Sequence, residues 1–217
     1  TARSTSLREI LVDRMLVPEG DGHYYLNPYV GCMIGCEFCY VMERADLSRR
    51  LEGLPAMPWG RWVDVKINAA DVLARELESH PPGIVRMGPI LTDPYQGPER
   101  RYRITRQCLE VMLGTGFTPA VLTRAARVLE DLDLLARFEG AAVGFSIPSD
   151  DDRMRAFFEP GADPIEARVD ALKKCHERGL TTMVLVQPML PMNPEALVES
   201  LAPYVDGVRI DRMHRMD

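Results

Sequence analysis

The chain has 217 residues, 46% hydrophobic and 27% charged, with a formal net charge of −6. These values suit one soluble globular domain with a large core, and they exclude a broad electrostatic affinity for nucleic acid, which rests on clustered Lys and Arg. No run of about 18 apolar residues is available to cross a membrane, and residues 1–7 lack the apolar stretch of a secretory signal, so a cytoplasmic setting is expected. The first residue is Thr, not Met, which implies a longer reading frame upstream.

A first strand is predicted over residues 24–29, followed by a cysteine-bearing loop and a helix over 43–50. A short extra strand over 63–67 precedes a helix over 69–79. Strands over 84–91, 120–123, 141–147, 182–187 and 207–210 then alternate with helices over 104–113, 127–137, 164–178 and 194–204. Gly114, Gly140 and Gly179 follow amphipathic runs as C-terminal caps, while Asp163 and Asn193 are expected to cap helices whose first turns hold Pro164 and Pro194. The pattern predicts an α/β fold: a six-unit (β/α)6 partial barrel with a parallel sheet. It is read as one domain, with an N-terminal extension over 1–23 and the partial barrel over 24–217. Six units leave the ring open, and the chain is expected to lack a C-terminal subdomain after the sixth strand.

In parallel β/α folds the loops at the C-terminal strand ends converge on one mouth. Those ends carry Thr92-Asp93-Pro94-Tyr95-Gln96, Thr123-Arg124, Ser146 and Gln187-Pro188, and the cysteine loop follows the first strand.

Five cysteines is an odd number, and three of them, Cys32, Cys36 and Cys39, crowd into eight residues as C-x3-C-x2-C. That does not suit a disulfide framework. Gly31 and Gly35 let the backbone curl so that three thiolates converge on one object. A four-iron cluster held by three cysteines keeps one iron open to a substrate or cofactor. The competing metal is zinc, with His23 as a fourth ligand, although the spacing lacks the second ligand pair that zinc sites favour. Cys108 and Cys175 share helical faces with apolar residues and are read as core. Gly114-Thr115-Gly116 is read as a helix cap rather than a phosphate loop, and Asp150-Asp151-Asp152 as a solvated turn before a helix. Arg100, Arg101, Arg103 and Arg106 are read as surface, as is His176, while His80 and His214 belong to no constellation.

The cysteine loop, with Phe38 just before its last cysteine, resembles the signature of the radical S-adenosylmethionine superfamily. Leu26-Asn27-Pro28-Tyr29, Thr92-Asp93-Pro94-Tyr95-Gln96 with Glu99, Leu122-Thr123-Arg124, Asp131-Leu132-Asp133-Leu134-Leu135, Phe145-Ser146-Ile147, Glu159-Pro160, Arg168, Pro188 and Pro191 resemble its spore photoproduct lyase-like branch. The resemblance implies a 4Fe-4S cluster on Cys32, Cys36 and Cys39, with S-adenosylmethionine chelating the open iron and cleaved reductively to a 5′-deoxyadenosyl radical. It implies that Tyr40 presents its backbone to adenine, Thr92 and Asp93 meet the methionine amino group, Arg124 meets the carboxylate and Ser146 meets the ribose. Arg168 would reach the carboxylate or pair with Glu159. The bland counterparts are a core aromatic at Tyr40, a turn cap at Asp93, an ion pair from Arg124 to Glu130 or Asp131, and a self-capped turn at Ser146.

A reductant such as flavodoxin or ferredoxin and an unidentified organic substrate are the implied partners. Spore photoproduct lyase returns hydrogen through a cysteine and tyrosines at positions that here hold Leu91 and Phe38, so thymine-dimer repair is disfavoured. Aminocarboxypropyl transfer from S-adenosylmethionine, or a non-catalytic iron-sulfur module for electron transfer or partner binding, are the other readings.

Overall fold

Short apolar runs separated by amphipathic segments fold around a seven-stranded sheet in the computed structural model, which describes residues 5–88 and 91–212. The first half of the chain holds β1 (Ser6–Ile10), β2 (Val17–Gly20), β3 (His23–Leu26), β4 (Tyr29–Val30), α1 (Val41–Leu51), β5 (Trp62–Lys66), α2 (Ala69–Ser79) and β6 (Ile84–Met87). There follow α3 (Glu99–Tyr102), α4 (Ile104–Met112), β7 (Thr118–Thr123), α5 (Leu132–Leu135), β8 (Ala142–Ser146), α6 (Asp152–Phe158), α7 (Ile165–Glu177), β9 (Thr181–Val186), α8 (Pro194–Leu201) and β10 (Gly207–Ile210).

The large sheet runs β10-β9-β8-β7-β6-β3-β2. β2 is antiparallel to β3, and every other neighbouring pair is parallel. The six parallel strands are those read from the sequence, and their helical crossovers give the expected α/β architecture, an open β/α sheet with β2 and β10 at its edges. β1, β5 and β4 form a second, three-stranded sheet.

Several boundaries differ from expectation. The strand predicted over 24–29 splits into β3 and β4, because Pro28 has no N–H to donate and the Asn27 side chain turns to accept from the Leu91 amide at 3.3 Å. The extra strand predicted over 63–67 exists as β5 but joins the small sheet, between β1 and β4. β6 is shorter than predicted, and residues 89–90 of that segment, like His214, lie outside the described residues. The helix predicted over 127–137 is a 3-10 turn at Ala126–Asp131 followed by α5, broken where Asp131, at φ −113°, turns its carboxylate inward to the Tyr95 hydroxyl at 3.0 Å.

Asn193 caps α8 through the Ala196 amide at 3.1 Å, as expected. Asp163 does not cap α7: its carboxylate takes the Ala126 amide at 2.7 Å, and Asp152 takes the Ile165 amide at 3.1 Å instead. Within the acidic triplet, Asp151 caps α6 and Asp150 takes the Asn193 amide, so these carboxylates serve the chain's own backbone.

The core lies between the large sheet and its helices, where Val85, Val121, Val143, Phe145 and Val184 meet Leu73, Leu109 and Leu172. Burying one such side chain contributes about 1.5–3 kcal/mol, so the core holds the strand ends in fixed positions. Cys108 and Cys175 are fully buried members of it.

Candidate functional site

The parallel strands end at a cavity of about 420 Å³. Cys32, Cys36, Cys39 and Tyr40 line it from the loop after β4, and Thr92 and Asp93 from the loop after β6. Arg124 follows β7, Ser146 ends β8, Gln187 and Pro188 follow β9, and Arg209 and Asp211 come from the last strand and its exit. Eight of the nine site residues expected from the sequence therefore share one cavity; Arg168 does not line it.

The cysteine loop is shaped by close approaches and by a side-chain strap. Gly31 sits at φ +82°, and a Cβ there would fall 2.7 Å from the Trp62 carbonyl oxygen. From the strand end after β6, the Thr92 hydroxyl donates to the Gly31 carbonyl at 2.7 Å. The Gln96 amide donates to that carbonyl at 3.1 Å and also to the Thr92 hydroxyl, while its oxygen accepts from the Met33 amide at 2.7 Å. From the other side, the Gly161 amide donates to the Ile34 carbonyl at 2.9 Å, and the Glu37 amide to the Phe158 carbonyl at 2.9 Å. The motif after β6 thus grips the cysteine loop as much as it faces the cavity.

None of the three thiols is in a disulfide. Burial pushes the Cys32 thiol up to about 12, and pushes Cys36 and Cys39 above the usual thiol range. Their thiolate forms call for a cationic partner, which an iron centre supplies. Among the described residues no three His, Cys, Asp or Glu side chains converge closely enough to hold a single metal ion. His23 lies at the N-terminal end of β3, where Nδ1 is 3.0 Å from the Asp21 carbonyl oxygen, so it is no fourth ligand to the loop. Three free thiols lining one cavity are the donor set that a cluster with one open iron takes.

Asp93 is buried and engaged at both oxygens. One accepts from the Tyr95 amide at 2.9 Å and the Thr123 hydroxyl at 2.7 Å, and the other from the Arg124 amide at 2.7 Å. It caps its own turn and ties β6 to β7. Burial nevertheless raises its carboxyl above the usual range.

Arg124 pairs with Glu159, Nε to Oε1, at 2.5 Å, rather than with Glu130 or Asp131. Those two carboxylates are taken by Arg127 and Arg106, each at 2.7 Å. Burial works against the Arg124 charge, but Glu159 and, in its thiolate form, Cys36 outweigh it and the guanidinium stays protonated. Arg168 is fully buried and has its donors committed to Glu159 at 2.9 Å, the Ser146 carbonyl at 2.6 Å and the Asp163 carbonyl at 2.9 Å. The expectation that it reaches a cofactor carboxylate gives way to its alternative: it anchors Glu159 behind Arg124. Tyr40 is 58% exposed, which removes the reading of a core aromatic.

Sequence reasoning placed Gln96 and Gln187 at the strand ends without giving them a role, and did not assign Trp59, Arg209 or Asp211 to the site; Gln187 donates to Asp211 at 3.0 Å, Gln96 straps the cysteine loop, and Trp59 and Arg209 line the cavity. Arg209 and Asp211 were within reach of the strand-end rule. Trp59 lies in an irregular loop with no periodic signal.

The sequence pattern of the Radical SAM superfamily matches residues 26–202. An uncharacterized protein of Methanocaldococcus jannaschii is 27% identical over 185 residues, spanning 84% of this chain and 67% of the relative. An uncharacterized protein of Acidianus two-tailed virus is 30% identical over 171 residues, 77% of this chain and 56% of the relative. The Radical SAM Nalpha-GlyT isomerase of Pseudomonas phage M6 is 26% identical over 166 residues, 76% of this chain and 33% of the relative. The chain thus spans from a third to two thirds of the length of these relatives.

Among solved structures, a spore photoproduct lyase mutant with bound AdoMet and dinucleoside spore photoproduct superposes with a TM-score of 0.69 at 17% identity, covering 95% of this chain and 62% of that one. Streptococcus suis SuiB bound to S-adenosylmethionine gives 0.58 at 14% identity, over 99% of this chain and 40% of that one. These likenesses establish a shared fold. The pattern match over most of the chain goes further: the protein belongs to the Radical SAM superfamily, enzymes that act on S-adenosylmethionine with an iron-sulfur cluster.

Proposed function

We propose that Cys32, Cys36 and Cys39 hold a 4Fe-4S cluster whose open iron binds S-adenosylmethionine, and that the protein uses it to abstract hydrogen from an organic substrate. The observation that carries this reading is the meeting of three free thiols and the polar strand ends in one cavity of about 420 Å³. When bound and reduced, the cluster supplies an electron that cleaves the sulfonium carbon-sulfur bond, giving methionine and a 5′-deoxyadenosyl radical.

The chain's own residues prepare that cavity. Arg124 offers a positive charge to the methionine carboxylate, and Glu159, itself held by Arg168, keeps the guanidinium from swinging away. Asp93 adds negative charge near the amino group while fixing the Arg124 backbone. Thr92 orients the Gly31 carbonyl, Ser146 faces the ribose, and the Tyr40 backbone faces adenine. Leu122, Leu185 and Pro188 supply apolar wall that excludes water from a reactive centre.

Leu91 and Phe38 offer neither a sulfur nor an oxygen hydrogen donor, which supports a substrate other than a thymine dimer. A small electron carrier such as flavodoxin or ferredoxin is the reductant in this reading.

Anaerobic reconstitution followed by dithionite reduction tests it. 5′-Deoxyadenosine is the expected product. Methylthioadenosine in its place would mean aminocarboxypropyl transfer, and neither product from a loaded cluster would overturn the reading.

A further inference from the structure

Arg100, Arg101, Arg103 and Arg106 place four positive charges within seven residues of a chain whose net charge is −6. Two of the four are held by carboxylates. Arg103 pairs with Glu130 and Asp131, each at 3.5 Å, and Arg106 with Asp131 at 2.7 Å and Glu110 at 2.9 Å. Arg100 and Arg101 are exposed on α3, and neither forms an ion pair among the described residues. The Arg101 guanidinium carbon lies 5.1 Å from the Tyr102 ring centroid, and the Tyr102 hydroxyl donates to exposed Glu9 at 2.9 Å. Two unpaired guanidiniums thus stand beside one carboxylate, a local reversal of the chain's overall sign.

That reversal sits against the cysteine loop. The Arg100 amide donates to the Gly97 carbonyl at 3.2 Å and the Arg101 amide to the Pro98 carbonyl at 2.9 Å, so α3 grows directly out of the turn at Gln96 and Gly97. Gln96 straps Gly31 and Met33, the residues on either side of Cys32. Gly97 is exposed, and a Cβ built on it would fall 3.5 Å from Met33 Sδ. With no side chain at Gly97, a protein docked on the turn meets backbone that already touches the loop. Electron tunnelling falls off exponentially with distance, so such close approach matters to a reductant.

We propose that this turn and α3 are the docking surface of a small acidic electron-carrying protein, with Arg100 and Arg101 pairing with its carboxylates and Gly97 allowing close approach to the cluster. The proposal rests on the cluster reading above. The carrier gives up one electron and the cluster gains it, with no bond made or broken. Redox encounters bury little surface and are steered by charge, so a small patch of unpaired guanidiniums suits one. A second route from solvent starts at Phe157, which is 69% exposed. Its ring centroid is 4.8 Å from that of Phe158, which is 6.5 Å from that of Phe38 on the cavity wall. That flank lacks the charge: Arg153 and Arg155 are paired to Asp151 and Asp152, and exposed Glu37, whose amide donates to the Phe158 carbonyl, forms no ion pair.

Reduced flavodoxin is the probe. The anaerobically reconstituted protein is assayed for 5′-deoxyadenosine at rising flavodoxin concentration, beside a control driven by dithionite. Arg100→Glu with Arg101→Glu is expected to raise the flavodoxin concentration for half-maximal rate by about tenfold and to leave the dithionite-driven rate unchanged. Phe157→Ser is expected to leave both unchanged. Salt tests the wild type directly. Two proteins of like net charge meet faster as salt screens their repulsion, whereas a basic patch facing an acidic carrier makes the flavodoxin-driven rate fall with salt. An unchanged half-maximal concentration in the double variant, a loss confined to Phe157→Ser, or a wild-type rate that rises with salt overturns the proposal. Should the double variant also slow with dithionite, the sign of the wild-type salt dependence decides. A loaded wild type that makes no 5′-deoxyadenosine with dithionite overturns the cluster reading instead. Calorimetry of flavodoxin binding at low salt then settles the docking surface: weaker binding by the double variant supports it, and equal binding overturns it.

Discussion

The two sides of the cysteine loop are finished in opposite ways. Behind it, Glu99 is enclosed by donors from the chain itself: the Tyr29 hydroxyl, the Thr105 amide at 3.0 Å and the Arg106 amide at 3.1 Å. Tyr29 and Glu99 are both buried, and burial raises both the phenol and the carboxyl above their usual ranges, yet each has its partner. In front, the loop presents three free thiols. The rear junction completes the fold, capping α4 and tying it to β4. The front face gives up local stability for a surface that suits a guest, a division common at functional sites.

The sharpest way to break this contrast is to remove a front-face thiol. Cys36→Ser is expected to lose iron binding by at least about tenfold. The folded protein without iron should keep its stability within about 1 kcal/mol, because the thiol takes part in no disulfide. Iron analysis beside a urea melt checks both halves; a large loss of stability would mean that the front face also holds the fold.

Glu159→Gln probes the border between the two regimes. Glu159 and Arg168 are both fully buried, and breaking such a pair costs about 3–5 kcal/mol because a charge is left without its partner. The same change loosens Arg124 at the cavity, so weaker S-adenosylmethionine binding is expected along with a lower urea midpoint. A weaker cofactor affinity at unchanged stability would show that Glu159 serves the site alone.

Much of this arrangement is legible in the sequence because it follows from periodicity and from strand ends. The six parallel strands were readable, and so was the convergence of Thr92, Asp93, Arg124 and Ser146 with the cysteines, since the C-terminal ends of parallel strands share one mouth. Side-chain networks between distant segments were not readable. The Arg168 pairing with Glu159 was one of two readings, but nothing in the sequence says that Gln96 would strap Gly31 and Met33 or that Arg124 would share Glu159, because these pairings depend on how loops pack. The split of the first strand at Pro28 was visible in principle, as a proline inside a run demotes it. Trp59 had no local signal, for its place is set by the contact of Gly60 with Gly35.

At the rear junction, Glu99→Gln replaces a carboxylate that takes three donors with an amide that has one oxygen. A loss of about 2 kcal/mol is expected, from at least one buried donor left without an acceptor. Iron loading per folded molecule should be unchanged. Denaturant melts and metal analysis read the two quantities separately, and a fall in loading would erase the distinction between the faces.

The smallest effect concerns the one strained member of the rear side. Lys66 ends β5 near Cys108 and Glu76, and burial pulls its ammonium down to about 8. The folded chain therefore releases this proton near pH 8, while the unfolded chain keeps it until about 10.4. Between those values the unfolded state binds more protons, so the Lys66 contribution makes stability rise with pH through that window. At pH 7 the group is charged in both states and the folded state bears the whole desolvation penalty. Lys66→Met removes the charge and keeps the stem, so it should stabilise the protein at pH 7 by about 1–2 kcal/mol, less than the full shift implies because the side chain is only partly buried. The advantage should shrink as pH passes through 8 and vanish near 10.4. Urea melts at pH 7 and pH 10 measure it. An equal gain at both would trace the effect to apolar packing, and would make the rear side as fully paired as the hydrogen bonds around Glu99 suggest.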